Sequence, residues 1–242
     1  MENPSAPVVE TRQGALIGFT EGDTHVWCGI PYAAPPVGQW RWRSPRPPAR
    51  WDGVRPATAF SASSWQSSES CQELGGGDPG QFSEDCLYLN VWSPVARADP
   101  LPVMVWLHGG GFTLGAGGLP PYNGRALAKR GTVVVTINYR LGHLGFFAHP
   151  ALEGEEERVV HNFALLDQIQ ALEWVRDNIA AFGGDPEKIT VFGESAGARS
   201  VLSLMASPLA RGLFHKAIVQ SGYTLPDTPR EQAMHKGEAI AA

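Results

Sequence analysis

The five residues that most constrain this chain are Gly193-Glu194-Ser195-Ala196-Gly197, which follow directly on the apolar run 189–192 (ITVF). A helical pattern comes next, with Ala198, Val201, Leu202 and Met205 expected on one face. Passing from strand to helix within five residues forces a sharp reversal, and a glycine on each side of Ser195 removes the Cβ atoms that would block it. Ser195 is therefore expected at the carboxyl end of a strand with its hydroxyl exposed, beside the dipole and free N–H groups of the helix start. The surrounding sequence has matching grammar. Residues 87–92, 102–107, 132–137 (TVVVTI) and 216–220 (KAIVQ) read as short strands. Leu165, Ile169, Leu172, Val175, Ile179 and Phe182 recur at helical spacing before the stop Gly183-Gly184-Asp185-Pro186. Apolar strands alternating with amphipathic helices predict an α/β fold with a mainly parallel central sheet and helices on both faces. Residues 8–32, punctuated by Gly14, Gly18 and Gly22, predict an antiparallel N-terminal portion.

A second motif sits upstream. The run 103–107 (VMVWL) opens into His108-Gly109-Gly110-Gly111-Phe112, a glycine loop whose amides can converge on an anion with no side chain in the way. A phosphate loop is the rival, but no Lys-Ser/Thr follows and the G-x-G-x-x-G spacing is absent. A strand ending in HGGG, upstream of a G-x-S-x-G turn, is the pairing expected of lipases and esterases with the α/β-hydrolase fold.

Between the N-terminal strands and these motifs, residues 31–80 are rich in Pro, Ser, Arg, Trp and Gly and cannot form continuous helix or central strand. They read as a long wrapped loop, with Trp40, Trp42, Trp51, Phe60 and Trp65 expected to anchor it on the core. The formal charge of -5, with no dense basic stretch, argues against a nucleic-acid partner. No run approaches a membrane span, and the start MENPSAPVVETRQG has no basic leader, so the expected location is the cytoplasm. Cys28, Cys71 and Cys86 lack the spacing of a zinc site, and Cys28 reads as a small buried residue. The acidic run Glu155-Glu156-Glu157 reads as a solvated loop.

Longer stretches make the resemblance specific: GIPYAAPPVGQWRWRSPRPPARWDGV at 29–54, SEDCLYLNVWSP at 83–94, LPVMVWLHGGGF at 101–112, INYRLGHLGF at 137–146, NFALLDQIQALEWVRDNIAAFGGDP at 162–186, TVFGESAG at 190–197 and LFHKAIVQSG at 213–222. With these the sequence resembles the type-B carboxylesterase family, which includes bacterial para-nitrobenzyl-type esterases and the cholinesterases. The resemblance implies that Ser195 is the nucleophile, that the backbone N–H groups of Gly110, Gly111 and Ala196 form the oxyanion hole, and that Glu194 lies beside the nucleophile in support. It implies structural ion pairs between Arg41 and Glu84 and between Arg140 and Asp167, and a loop disulfide between Cys71 and Cys86 that stays open in a reducing compartment. The implied substrate is a small-molecule ester, with no metal or organic cofactor.

The same resemblance requires an acid and a histidine after Ser195, in that order. His215 has no acid between it and Ser195; His235 follows Asp227 and Glu231 but sits in a polar helical segment, and neither is expected to be the base. His108, His143, His149 and His161 precede the nucleophile. The expectation is that residues 1–242 are the N-terminal part of one hydrolase domain, ending before the triad acid and histidine. A non-catalytic fragment or interaction protein on the same scaffold is the alternative, with self-association through an exposed sheet edge. Arg199 and the pair His161 and Ala164 depart from the family pattern, the former where an apolar residue is usual and the latter where glycine is frequent.

Overall fold

The structure, a computed structural model, describes residues 6–153, 161–222 and 228–242. Glu155, Glu156, Glu157 and Asp227 therefore lie outside the described residues. The strands are β1 (Val8–Glu10), β2 (Ala15–Ile17), β3 (Phe19–Glu21), β4 (Thr24–Pro31), β5 (Val54–Pro56), β6 (Tyr88–Pro94), β7 (Leu101–Leu107), β8 (Val133–Ile137), β9 (Gly184–Glu194) and β10 (Lys216–Gln220). The helices are α1 (Ser68–Glu73), α2 (Arg125–Ala128), α3 (Gly142–Phe146), α4 (Phe163–Asn178), α5 (Ala196–Ala206) and α6 (Arg230–Ala241).

Seven strands form the central sheet in the order β10-β9-β7-β8-β6-β4-β3. The four from β10 to β8 run parallel, and β6, β4 and β3 are added antiparallel. The split follows from the connections: the parallel strands are separated by the helical crossovers that parallel pairing requires, whereas β3 and β4 are joined by a tight hairpin turn. β8 is buried along its whole length, as a strand covered on both faces must be, and its VVVTI sequence suits that position. A smaller sheet, β1-β2-β5, carries the chain start against the core.

The main core gathers alternate residues of β7 and β8 (Val103, Val105, Leu107, Val133, Val135, Ile137) against Leu172, Val175, Ile179 and Phe182. These last four are the helical periodicity seen in the sequence. α4 carries the first part and a 3₁₀ turn, Ile179–Phe182, the rest, and Gly183 stops it in the left-handed conformation at φ 83°. On α5 the sequence-expected face is only half correct. Ala198 and Val201 are buried, but the helix turns Ser200 and Leu204 inward with them, while Leu202 and Met205 face outward near the β10 side of the sheet. An isolated helical period cannot tell which of two adjacent rows meets the sheet, because rows offset by one residue differ by only 100°.

The wrapped segment also differs from expectation. Trp51 donates from Nε1 to the Ala15 carbonyl at 2.9 Å, and Trp42 donates to the His143 carbonyl at 2.8 Å and packs on Phe147. Trp40 sits under the Arg46 guanidinium. Phe60 and Trp65 instead stay about half exposed, their rings tilted against Trp92 and Phe82 at centroid distances of 6.4 and 5.9 Å. The segment is not loop throughout: Ser67 accepts from the Ser70 amide and so starts the short helix α1. Among the described residues no helix is long and apolar enough to cross a membrane.

Candidate active site

Ser195 stands between the end of β9 and the first turn of α5, at φ 54° and ψ -119°. That backbone conformation is strained for a residue with a Cβ, and the surroundings hold it there. A Cβ on Gly193 would lie 2.5 Å from the Gly197 carbonyl carbon, and one on Gly197 only 1.9 Å from the Leu107 carbonyl oxygen. The two glycines are thus demanded by the close approach of α5 to the end of β7. The Ser195 amide donates to the Gln220 carbonyl at 3.0 Å, which ties the turn to β10.

The glycine loop lies against this turn. Gly110 and Gly111 adopt positive φ (104° and 62°), and Gly109 approaches so closely that a Cβ there would be 3.3 Å from Ser195 Cβ and 2.8 Å from Glu194 Oε2. The N–H groups of Gly110, Gly111 and Ala196 donate to no partner among the described residues. These three glycines, Glu194 and Ser195 line one cavity of about 410 Å³ whose far wall includes Leu119 and Tyr122. Free amides beside the Ser195 hydroxyl favour an atom that gains negative charge during reaction.

Several supports were invisible in the sequence. Gln66 clamps the end of the loop, donating to the Gly115 carbonyl at 2.9 Å and accepting from its amide at 2.7 Å. Nothing periodic marks Gln66 within its Ser-rich stretch. Tyr139 donates to the His108 carbonyl at 2.6 Å and stacks on the His108 ring at a centroid distance of 4.3 Å. Asn138 accepts from the Gly117 amide and donates to the Ala62 carbonyl.

His108 is fully buried behind the loop, with Nδ1 2.9 Å from the Gly109 carbonyl oxygen. A carbonyl only accepts, so Nδ1 carries the proton and donates. Nε2 has no partner among the described residues. Burial pulls the ring's pKa down to about 4, against a smaller opposing pull from the Gly109 carbonyl. The unfolded chain takes up this proton near 6.5 and the folded chain does not, so stability is full above that pH and falls as pH drops from about 6.5 to about 4. The expected loss is about 3 kcal/mol. Urea unfolding at pH 7 and pH 4.5 measures it, and a His108→Gln variant should flatten that interval.

The histidines after Ser195 are elsewhere. His215 Nδ1 accepts from the Ile189 amide at 3.2 Å, and Ile189 lies six residues before Ser195, about 20 Å along the strand. His235 is exposed on α6 with Nδ1 3.9 Å from Glu238. Among the described residues no histidine is hydrogen-bonded to Ser195.

Arg41 meets Glu84 through two bonds of 2.6 Å in a partly exposed pair. Arg140 and Asp167 are both fully buried, with Arg140 Nε and Nη2 donating at 2.9 and 2.7 Å. Cys71 and Cys86 are both buried free thiols in this structure. Cys71 belongs to a satellite cluster with Ala116 and Leu119, whereas Cys86 is in the main core. Burial pushes both thiols up. Cys28 is buried and unpaired, its thiol pushed by burial to about 12.

A carboxylesterase family profile matches residues 5–242. The chain belongs to the carboxylesterase family. This carboxylesterase sequence is 52% identical over 234 residues to the para-nitrobenzyl esterase of Bacillus subtilis (strain 168), covering 96% of this chain and 47% of that protein. It is 51% identical over 217 residues to the fumonisin B1 esterase of Sphingopyxis macrogoltabida, covering 88% of this chain and 39% of that protein. A solved para-nitrobenzyl esterase superposes with a TM-score of 0.91 at 48% identity, over 98% of this chain and 48% of that one. A carboxylesterase of Geobacillus stearothermophilus gives 0.87 at 48% identity, over 96% and 47%. The α/β-hydrolase fold is thereby shown. The chain spans less than half the length of these relatives.

Proposed function

We propose that this chain carries the nucleophile and oxyanion-binding half of a serine carboxylic-ester hydrolase, as part of a single hydrolase domain. Ser195 Oγ attacks the ester carbonyl carbon and passes its proton to a base that the described residues do not include, and the carbonyl oxygen takes the negative charge against the N–H groups of Gly110, Gly111 and Ala196. Collapse of this adduct expels the alcohol, which takes a proton, and leaves an acyl group on Ser195. Water adds to the acyl carbon in the second half and releases the acid and free Ser195. Each oxyanion donor is worth about 3 kcal/mol of barrier. Glu194, beside the turn, adds negative charge next to the cation that a protonated base would become. The observation that carries this reading is a strained Ser195 on one cavity with the unengaged amides of Gly110 and Gly111, the unengaged Ala196 amide following directly on Ser195.

No described histidine serves as the proton acceptor, so this chain by itself should retain only the contribution of the oxyanion amides and binding, about 10³–10⁴ over water. The test is covalent labelling with a fluorophosphonate together with a para-nitrophenyl acetate burst. Without the base, labelling is expected to be slow but to reach one label per folded chain, and to be lost in Ser195→Ala. A folded sample that takes no label would overturn the proposal.

One observation favours the second reading, a non-catalytic interaction protein. The outer edge of β10 is unpaired among the described residues, and Ile218, Val219, Leu202 and Met205 are exposed beside it. Such an edge invites pairing with a second copy. Sedimentation of the same sample decides: a labelled monomer favours the hydrolase, an unlabelled oligomer the alternative. Three unpaired thiols fit the cytoplasm as the proposed compartment.

A further inference from the structure

Gly109, Gly110 and Gly111 have no side chains, so nothing within those three residues selects the direction of their amides. Direction is imposed from the carbonyl side of each peptide. In a planar trans peptide the C=O and N–H point opposite ways, so a carbonyl held on one side aims the next residue's amide to the other. The Gly109 carbonyl is held by His108 Nδ1 at 2.9 Å, which orients the Gly110 N–H. The Gly110 carbonyl is held by the Thr113 and Leu114 amides, both at 3.0 Å, and by the Thr113 hydroxyl at 3.3 Å, which orients the Gly111 N–H. Both holds lean on Gly115. It packs on His108 Nδ1 and the Gly109 carbonyl with no room for a Cβ, and the Leu114 carbonyl, on the peptide that leads into Gly115, lies as tightly against Gly110.

Gly115 in turn is gripped on both sides by one side chain. Gln66 Oε1 accepts from the Gly115 amide at 2.7 Å, and Nε2 donates to the Gly115 carbonyl at 2.9 Å and to the Ser64 carbonyl at 3.1 Å. Only this orientation of the carboxamide serves all three, since a flip would set donor against donor and acceptor against acceptor. The Cys71 sulfur beside the Gly115 amide is too weak an acceptor to replace Oε1. Gln66 itself does not line the cavity that holds Ser195. We propose that Gln66 is a positioning residue for the oxyanion amides: by fixing Gly115 it sets where the Gly110 and Gly111 N–H groups point, without contact to the substrate. This rests on the reading of those amides as oxyanion donors.

The test compares the 242-residue chain with Gln66→Met, which keeps the length of the side chain and removes all three bonds. If that variant fails to fold, Gln66→Glu takes its place: it keeps the acceptor for the Gly115 amide and loses both donations, and a smaller change in the same direction is expected. Each chain is labelled with an alkyl fluorophosphonate and with its thiono analogue, in which sulfur replaces the phosphoryl oxygen. In both reactions Ser195 Oγ bonds to phosphorus as fluoride leaves and the hydroxyl proton passes to solvent, but only the phosphoryl oxygen accepts strongly from the amides. Gln66→Met should slow the oxygen reagent about tenfold to a hundredfold, as misplaced catalytic groups do, and leave the rate with the sulfur reagent nearly unchanged. Hydrogen exchange of the Leu114 amide should quicken about tenfold or more while the Val105 and Val135 amides keep the parent rates. Slowing by the same factor with both reagents, which a merely structural residue would give, no slowing with either, or unchanged Leu114 exchange would each overturn the proposal. A folded parent chain that takes neither label sinks the hydrolase reading instead, and Leu114 exchange then decides alone whether Gln66 holds the loop.

Discussion

Asp167→Asn is expected to destabilise the fold by about 3–5 kcal/mol. The reason is what stays behind. Asp167, inside α4, accepts from the Arg140 backbone amide at 3.1 Å and from its Nε and Nη2, and neither side chain reaches solvent. Asparagine keeps the shape but offers one acceptor oxygen and no charge, so a guanidinium remains buried among Tyr32, Cys86 and the Phe163 ring without compensation. The cost is one of desolvation, and adding salt will not restore it. Urea unfolding of the variant measures the loss. Replacing both partners, Arg140→Met with Asp167→Leu, should recover most of it, because an apolar pair of similar volume removes the stranded charge. A loss below about 1 kcal/mol in Asp167→Asn would contradict this account.

Gly197→Ala should be more damaging still to the site, costing more than about 4 kcal/mol or preventing folding outright. The added methyl would lie 1.9 Å from the Leu107 carbonyl oxygen and 2.9 Å from that of His108. Neither can retreat: Leu107 ends a strand paired on both sides by β8 and β9, and His108 is held by its stack on Tyr139. Relief requires α5 to lift away from the sheet, which carries Ser195 out of the cavity and the Ala196 amide away from the glycine loop. Any folded fraction should therefore take up fluorophosphonate at least about a hundredfold more slowly than the parent chain, in line with loss of one proposed oxyanion donor. Gly212→Ala is the control. Gly212 has φ 78° but open space around it, so that variant should lose only about 1 kcal/mol and keep its labelling. Equal behaviour of the two variants would show that close approach is not what selects glycine at 197.

The contrast between these two glycines bears on how much could be read from the residues alone. The strand, turn and helix around Ser195 were legible because glycines flanking a serine between two different periodicities leave few backbone solutions. The HGGG loop was legible for the same reason. What escaped was every contact made by a residue in irregular sequence. Gln66 grips Gly115 across 49 residues, and no local pattern announces a side chain that imitates a strand partner. Helix α1 depends on a single cap at Ser67 in a segment otherwise hostile to helix. Phe60 and Trp65 showed the opposite error, since an aromatic in a wrapped segment signals available apolar area but not the presence of a surface to receive it. The ion pairs came from resemblance and could not have come from spacing, because partners 27 and 43 residues apart leave no periodic trace.

The amide of Ser195 is fastened to Gln220, the last residue of a strand with one side unpaired among the described residues. Fraying of a sheet begins at such margins. The backbone of Ser195 is therefore no more persistent than the outermost strand, and the lifetime of its strained torsion is set at the rim. Amide hydrogen exchange should find Ser195 opening together with residues 216–220, faster than the strand core of β7, and anything that adds a strand beyond β10 would slow both at once.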